Sequence, residues 1–354
     1  MLFSRKTVGV QVMGIFLFIF AVNPSRLTAA VSGRCVNCHT MHNSEDNSVL
    51  NTGDSASLLR TTCVGCHSSS NGLTIVDLGG SAVPIVFNTG AYPAQPLAGG
   101  NFYHTGVGGP VYDQYGHNVY GIAGEDTNLS HVPGKLYSGV SKTITECIVC
   151  HKVYTNSPFM YDRPGNLLIC IDCHVFPRHH ADDSAAVVGE EGGWFRFLNG
   201  VRGVEDNDWE QTSGPADHNE YQGENVIFGG SVSDSGCMCH NDFHALVNPG
   251  GVGTASPWLR HPTDVALPDS GEYKAYTVYN PNVPVARPDL SGYGAPSSVV
   301  SPGVDQVACV SCHRAHGSDQ PDMLRWTYGG MQAHDSGNPA AGTGCFVCHS
   351  AKDD

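Results

Sequence analysis

Apolar positions along this chain rarely run long enough to define an element. The exception is the stretch from Thr7 to Val22, broken by Gln11, which follows the charged Arg5 and Lys6 and precedes the small residues Thr28-Ala29-Ala30. That order is the pattern of a secretory signal over residues 1–30; the stretch is short and interrupted for a membrane anchor. No later segment is long and apolar enough to cross a bilayer. Beyond residue 30 the pattern predicts short helices starting at each cysteine–histidine cluster, a short strand where Tyr273 to Tyr279 alternates, and loop over 72–140, punctuated by Gly99-Gly100 and Gly108-Gly109-Pro110. No tandem repeat is visible apart from the clusters themselves.

Composition points the same way. The 354 residues include 43 Gly and 21 Pro, which favours turns over long elements. Cysteine changes the picture. All 14 fall into seven close pairs, each followed at once by histidine. Six have the form Cys-x-x-Cys-His: Cys35/Cys38/His39, Cys63/Cys66/His67, Cys147/Cys150/His151, Cys170/Cys173/His174, Cys309/Cys312/His313 and Cys345/Cys348/His349. The seventh, Cys237/Cys239/His240, has one residue between its cysteines.

This spacing suits covalent attachment of haem, with two thiols forming thioethers to one porphyrin edge and the adjacent imidazole binding the iron as proximal ligand. Chance would place well under one such motif in a chain of this length. Zinc sites do not require a histidine after every second cysteine, and redox dithiols come singly in a βαβ context that is absent here. Seven c-type haems are therefore expected, the short motif at Cys237 being the unusual one.

Removing the leader leaves about 46 residues per haem, too few to surround each with its own helical domain. The expected fold is mostly irregular loop with short helices, cored by haem, with little regular secondary structure. Residues 31–354 would form one continuous domain whose haem groups span about 31–140, 141–230 and 231–354. Without haem such a chain should be disordered, since porphyrin faces and covalent staples offset its ordering entropy.

Eleven histidines remain after the proximal seven: His42, His104, His117, His131, His179, His180, His218, His244, His261, His316 and His334. Only five methionines lie beyond the leader, so bis-histidine ligation is the economical expectation for seven irons. Closed coordination favours electron transfer over substrate chemistry. His42 and His316 lie three residues past a proximal histidine, and His244 lies four past. Each is on the same side of a helical turn as its neighbour, where it can serve an adjacent haem but not its own.

The segments CVNCHTMHNSEDN, YGHNVYGI, RHHADDSAAVVGEEGGWFRFL, DHNEY, WLRHPTDVALP, CVSCHRAHGSDQPDMLRW and GCFVCHSAKDD resemble those of multihaem c-type cytochromes exported by dissimilatory metal-reducing bacteria. The similarity is to the extracellular group that includes filament-forming cytochrome nanowires. The resemblance implies a stacked chain of bis-histidine haems that hands electrons to metal oxides, electrodes or other redox proteins, with self-association into filaments. It also implies His42, His117, His180, His218, His244, His261 and His316 as distal ligands, with His179 the rival of His180 and His104, His131 and His334 in reserve. A secreted, extracellular or cell-surface location follows, with the periplasm as the alternative.

Charge refines the list of partners. The whole chain carries a formal −15, which does not suit nucleic acid. An acidic surface favours solubility and basic redox partners. The run Glu205-Asp206-Asn207-Asp208 offers a possible Ca²⁺ site, although it lacks a recognised loop spacing. Three functions compete: an electron conduit, either filament or soluble shuttle; a multihaem reductase with one open iron; and an accessory subunit on an outer-membrane porin complex. Every motif ends in histidine, which argues against the reductase.

Overall fold

A computed structural model describes residues 31, 33–50, 58–119, 121–124, 126, 128, 133, 179, 195, 201–223, 240, 243–244, 260–290, 295–334 and 342–352. Several expected features lie outside these residues: the leader, the third motif (Cys147, Cys150 and His151), the fourth motif (Cys170, Cys173 and His174), Cys237, Cys239, His131 and His180.

Each described Cys-x-x-Cys-His motif forms one helical turn, as its spacing predicts. Three of these turns are Cys35–Asn37, Cys63–Cys66 and Cys309–Cys312, and the last motif lies in Gly344–Val347. The amides of His39, His67, His313 and His349 donate to the carbonyl of the first cysteine of their own motif, at 2.8, 2.8, 3.0 and 2.9 Å. That closure puts the two cysteines on one face, three residues apart, and brings the imidazole round beneath them.

The remaining structure is short strands. β1 (Ser44–Glu45) and β2 (Ser48–Val49) form a hairpin, while β3 (Ser68–Ser69) lies apart from it in a second sheet. β4 (Ile75–Asp77) and β5 (Ala82–Pro84) pair antiparallel, and β6 (Phe87–Asn88) pairs parallel with β3. The β4–β5 turn needs positive φ at consecutive residues, met by Gly79 (φ 67°) and Gly80 (φ 101°). Further along come β7 (Gly203–Val204), β8 (Glu220–Gln222), β9 (Val265–Ala266), β10 (Ala286–Arg287) and β11 (Gln306–Val307), which assemble into one sheet in the order β7-β8-β10-β11-β9.

Two expectations need correcting. The segment 72–140 is not all loop: besides β4–β6 it holds a helix at Tyr103–Val107 and a 3-10 turn at Pro110–Tyr115. Residues Gly271–Ala275 form a 3-10 helix in place of the expected strand. Strand pairing survives only beyond that helix, where Val278 bridges antiparallel to Val299, with the Tyr279 amide donating to Ser298 (2.9 Å) and the Val300 amide to Thr277 (3.0 Å).

Apolar packing is divided among small clusters. One joins Phe195, Val201, Tyr221, Ala286 and Ala308; a second joins Leu267, Tyr276, Tyr279, Val285 and Val300; a third joins Phe102, Val119 and Ile122. Beside the second lies a buried ionic group. Arg287 donates from Nε to Glu220 (2.9 Å), from Nη1 to Asp305 and from Nη2 to the Ser297 carbonyl (3.1 Å), with its guanidinium 5.5 Å from the Tyr279 ring centroid. These contacts tie together β8, β10 and the start of β11.

Early and late parts of the chain clasp each other. The Asn101 amide donates to Gly317 (3.0 Å), the His316 amide to Gly99 (2.7 Å) and Arg314 Nη1 to Leu97 (2.8 Å). Arg325 Nη2 adds a bond to the Ala98 carbonyl (3.4 Å). The approach is close enough that a Cβ on Gly100 (φ 82°) would lie 1.8 Å from the Gly317 carbonyl oxygen. Gly100→Ala is therefore expected to cost more than about 1 kcal/mol, seen as a lower denaturation midpoint.

Candidate cofactor-binding sites

Three pairs of imidazoles face each other across nearly equal gaps. His67 and His179 have ring centroids 6.2 Å apart, His117 and His240 6.2 Å, and His261 and His349 6.3 Å. Two metal–imidazole bonds of about 2 Å each, plus roughly 1 Å from each nitrogen to its ring centre, give about 6 Å. The pairs thus have the span of two axial ligands on one iron. The angles between ring planes differ: 26°, 41° and 85° respectively.

Backbone carbonyls set the orientation of these rings. Nδ1 of His67 donates to Pro84 (2.7 Å), of His117 to Ala315 (2.6 Å), of His240 to Pro133 (2.9 Å), of His261 to Pro262 (3.1 Å) and of His313 to Asp322 (2.7 Å). With the proton fixed on Nδ1, the lone pair is on Nε2, as iron ligation requires. The β4–β5 hairpin exists in part to deliver the Pro84 carbonyl. Desolvation pushes His67, His117, His261 and His313 below the ordinary histidine value and His240 down to about 4, overriding the carbonyl bonds that raise them. Neutral imidazoles are the form that binds iron.

Two histidines meet carboxylates instead. His244, buried, donates from Nδ1 to Asp264 (2.7 Å), and His349 Nδ1 lies 3.3 Å from Glu272. Burial pushes the Glu272 carboxyl up, but hydrogen bonds from Lys352, His349 and the Ala351 amide outweigh it and leave the group below its usual value.

The motifs also stand beside one another. Burial raises the Cys38 thiol, and Cys66 of the second motif raises it further. Burial takes Cys312 up to about 12, with Cys345 and Cys348 of the last motif adding to the effect. His240 feels His313 in the same way.

Not every expected proximal histidine falls into a facing pair. His39 of the first motif stands outside the three pairs; it is half-buried, and its backbone bridges antiparallel to Leu59. The Thr40 amide donates to Leu58 (2.7 Å) and the Arg60 amide to Cys38 (2.8 Å), so the first motif is laid along the approach to the second. Its position follows from that backbone pairing. His151 and His174, with their partner cysteines Cys147, Cys150, Cys170 and Cys173, belong to the residues that are not described, so their expected roles rest on sequence alone.

Other sequence candidates sit differently. His218 is fully buried, its ring stacked on Tyr279 at 3.5 Å and 10°, with Nδ1 donating to Gly214 (3.1 Å) and Nε2 3.4 Å from Glu220. Its Nδ1 is thus hydrogen-bonded, while its buried Nε2 has no hydrogen-bond partner among the described residues. His104 lies among Tyr92, Tyr103, Tyr112 and Tyr115, all within 5.5 Å between ring centroids. His42 and His334 are exposed, and the His316 ring lies 4.9 Å from Phe102. In the acidic run Asp206 accepts from the amides of Asp208 and Glu210 and Asp208 from Thr212, and no group of three or more metal-binding side chains occurs among the described residues. Its carboxylates are turned onto their own backbone.

Comparison with known proteins agrees with this arrangement. Residues 28–72 and 302–354 match the family described as a doubled CXXCH motif, the two places where adjacent motifs pack together. Those two segments carry the doubled Cys-x-x-Cys-His motif. The chain is similar in fold to the OmcS nanowires of Geobacter sulfurreducens, with a TM-score of 0.50, 18% identity and 88% of each chain covered. A second structure, the Outer Membrane Cytochrome S filament from the same organism, gives 0.48, 19% and 85% of each chain. No curated protein matches. The chain's few short helices, small sheets and long irregular connections are what a haem-cored fold requires, and none of its described helices is long and apolar enough to cross a membrane.

Proposed function

We propose that this cytochrome carries electrons by hopping along a continuous array of seven bis-histidine haems over residues 31–354, outside the cytoplasmic membrane, without transforming a substrate. The spacing of the three histidine pairs carries the reading. Bound haem supplies a one-electron couple at each iron. The chain's part is to hold two neutral imidazoles at each iron and so leave no position for substrate.

On this reading His67 and His179 serve the second haem, His240 and His117 the fifth, and His349 and His261 the seventh. Four irons then remain, with His39, His151, His174 and His313 as their proximal ligands and His42, His180, His244 and His316 as four distal ligands to share among them. His179, the rival of His180 by resemblance, here stands beside it as a ligand, and His218, with Nδ1 on the Gly214 carbonyl and Nε2 unpartnered among the described residues, is a further candidate. The fold shared with OmcS nanowires supports assembly into extracellular filaments that pass electrons to metal oxides or other redox proteins. The leader and the absence of a long apolar helix among the described residues accord with export.

Intact mass of the purified protein is expected to show seven haems per chain, and the ferric protein is expected to be wholly low-spin and inert to carbon monoxide. A high-spin fraction that binds carbon monoxide or nitrite would favour the reductase. Electron microscopy of secreted material should show filaments; discrete particles would favour a soluble shuttle.

A further inference from the structure

At His67, His240 and His313 the proximal imidazole donates its Nδ1 proton to a neutral carbonyl. His349 differs. Its Nδ1 faces the Glu272 carboxylate at 3.3 Å, and that carboxylate is fastened by the Ala351 amide (3.0 Å) and by the Lys352 ammonium, while the Ser350 hydroxyl donates to the Glu272 carbonyl (3.0 Å). Lys352 Nζ also stands 3.2 Å from His349 Nδ1. The three residues after His349 thus curl back to hold one glutamate under the last proximal histidine.

We infer that Glu272 is a positioning and tuning residue that sets the seventh haem at a lower reduction potential than haems whose proximal histidine meets a carbonyl, and that Lys352 limits the effect. The inference rests on reading His349 and His261 as axial ligands. An anionic acceptor on Nδ1 pulls the proton away from the ring and gives it imidazolate character, making Nε2 a stronger donor. Stronger donation stabilises ferric over ferrous iron and lowers the potential. The Lys352 ammonium shares the same carboxylate oxygen and withdraws part of its charge, so the two residues act in opposite directions.

Among the three described pairs, ring geometry gives this haem a spectroscopic label. His261 and His349 are nearly perpendicular, at 85°, whereas the other two pairs stand at 26° and 41°. Perpendicular axial rings leave the iron's two π-type orbitals nearly equal in energy and produce a low-spin signal with one very large g value; more parallel rings split them and give a rhombic signal.

The test is a redox titration of the intact holoprotein followed by electron paramagnetic resonance at the large-g signal. Glu272→Gln keeps an acceptor of the same shape but removes its charge, and is expected to shift that couple upward while the rhombic signals hold their midpoints. Lys352→Met is expected to shift it downward. An unchanged midpoint in E272Q, or shifts of the same sign in both variants, would overturn the inference and leave the contact as packing at the chain end. Mass analysis of the peptide bearing Cys345 and Cys348 separates this from failure of the ligand reading: a peptide without haem overturns the site itself, whereas a haem-bearing peptide with an unmoved potential overturns only the tuning.

Discussion

His179→Ala is expected to convert one haem of the seven to a five-coordinate, high-spin state that binds carbon monoxide. The basis is the His67–His179 pair, whose 6.2 Å separation leaves room for one iron and nothing else. Removing the distal imidazole leaves His67 in place, because its Nδ1 bond to Pro84 does not depend on its partner. The Cys63 and Cys66 attachment is untouched, so haem content should stay at its wild-type value. Absorbance and paramagnetic resonance would then show about a seventh of the haem as high-spin. In a C63A/C66A background, which lacks that attachment site, His179→Ala should add no further high-spin haem.

Arg287→Met should have the largest effect on stability. Arg287 is the one cation that the described structure places between Glu220 and Asp305, and all three side chains are buried. Its loss leaves two carboxylates in a shared space with little water, a situation that typically costs about 3–5 kcal/mol. That is a large share of the roughly 5–15 kcal/mol available to a folded domain. The expected result is a marked fall in the denaturation midpoint of the holoprotein and a lower exported yield. The cost comes from uncompensated charge more than from lost attraction. A triple variant, R287M/E220Q/D305N, should therefore recover much of the stability. If the triple variant is no better than the single one, the network matters through shape and not through charge.

The attachment chemistry was readable from sequence because it is local. Five consecutive residues close one helical turn, and all four described Cys-x-x-Cys-His motifs do so. Low regular structure could likewise be read from glycine and proline. The five-stranded sheet could not be, because its strands are two or three residues long and come from segments spread over residues 203–307. No periodicity develops in so few positions. Which histidine faces which is hidden for a related reason: His117 meets His240, and His67 meets His179, through contacts more than a hundred residues apart. Between adjacent His179 and His180 spacing cannot choose, since the preference depends on where His67 stands. The burial of His218 is set by Tyr279 and Glu220, and its own neighbours in sequence do not reveal Tyr279. The carboxylates beside His244 and His349, Asp264 and Glu272, carry no local mark at all.

The clasp between residues 97–101 and 314–317 bears on how the molecule matures. A chain crossing a membrane from its N-terminus presents its first two attachment sites long before its last two, yet the ring of His117 is oriented by the carbonyl of Ala315, 198 residues later. The early part can acquire haem but cannot settle. Such a high contact order makes the final step a late, global closure, slow by comparison with a chain that folds piece by piece. Orientation of an early ring by a late carbonyl therefore ties completion of the first half of the fold to arrival of the second.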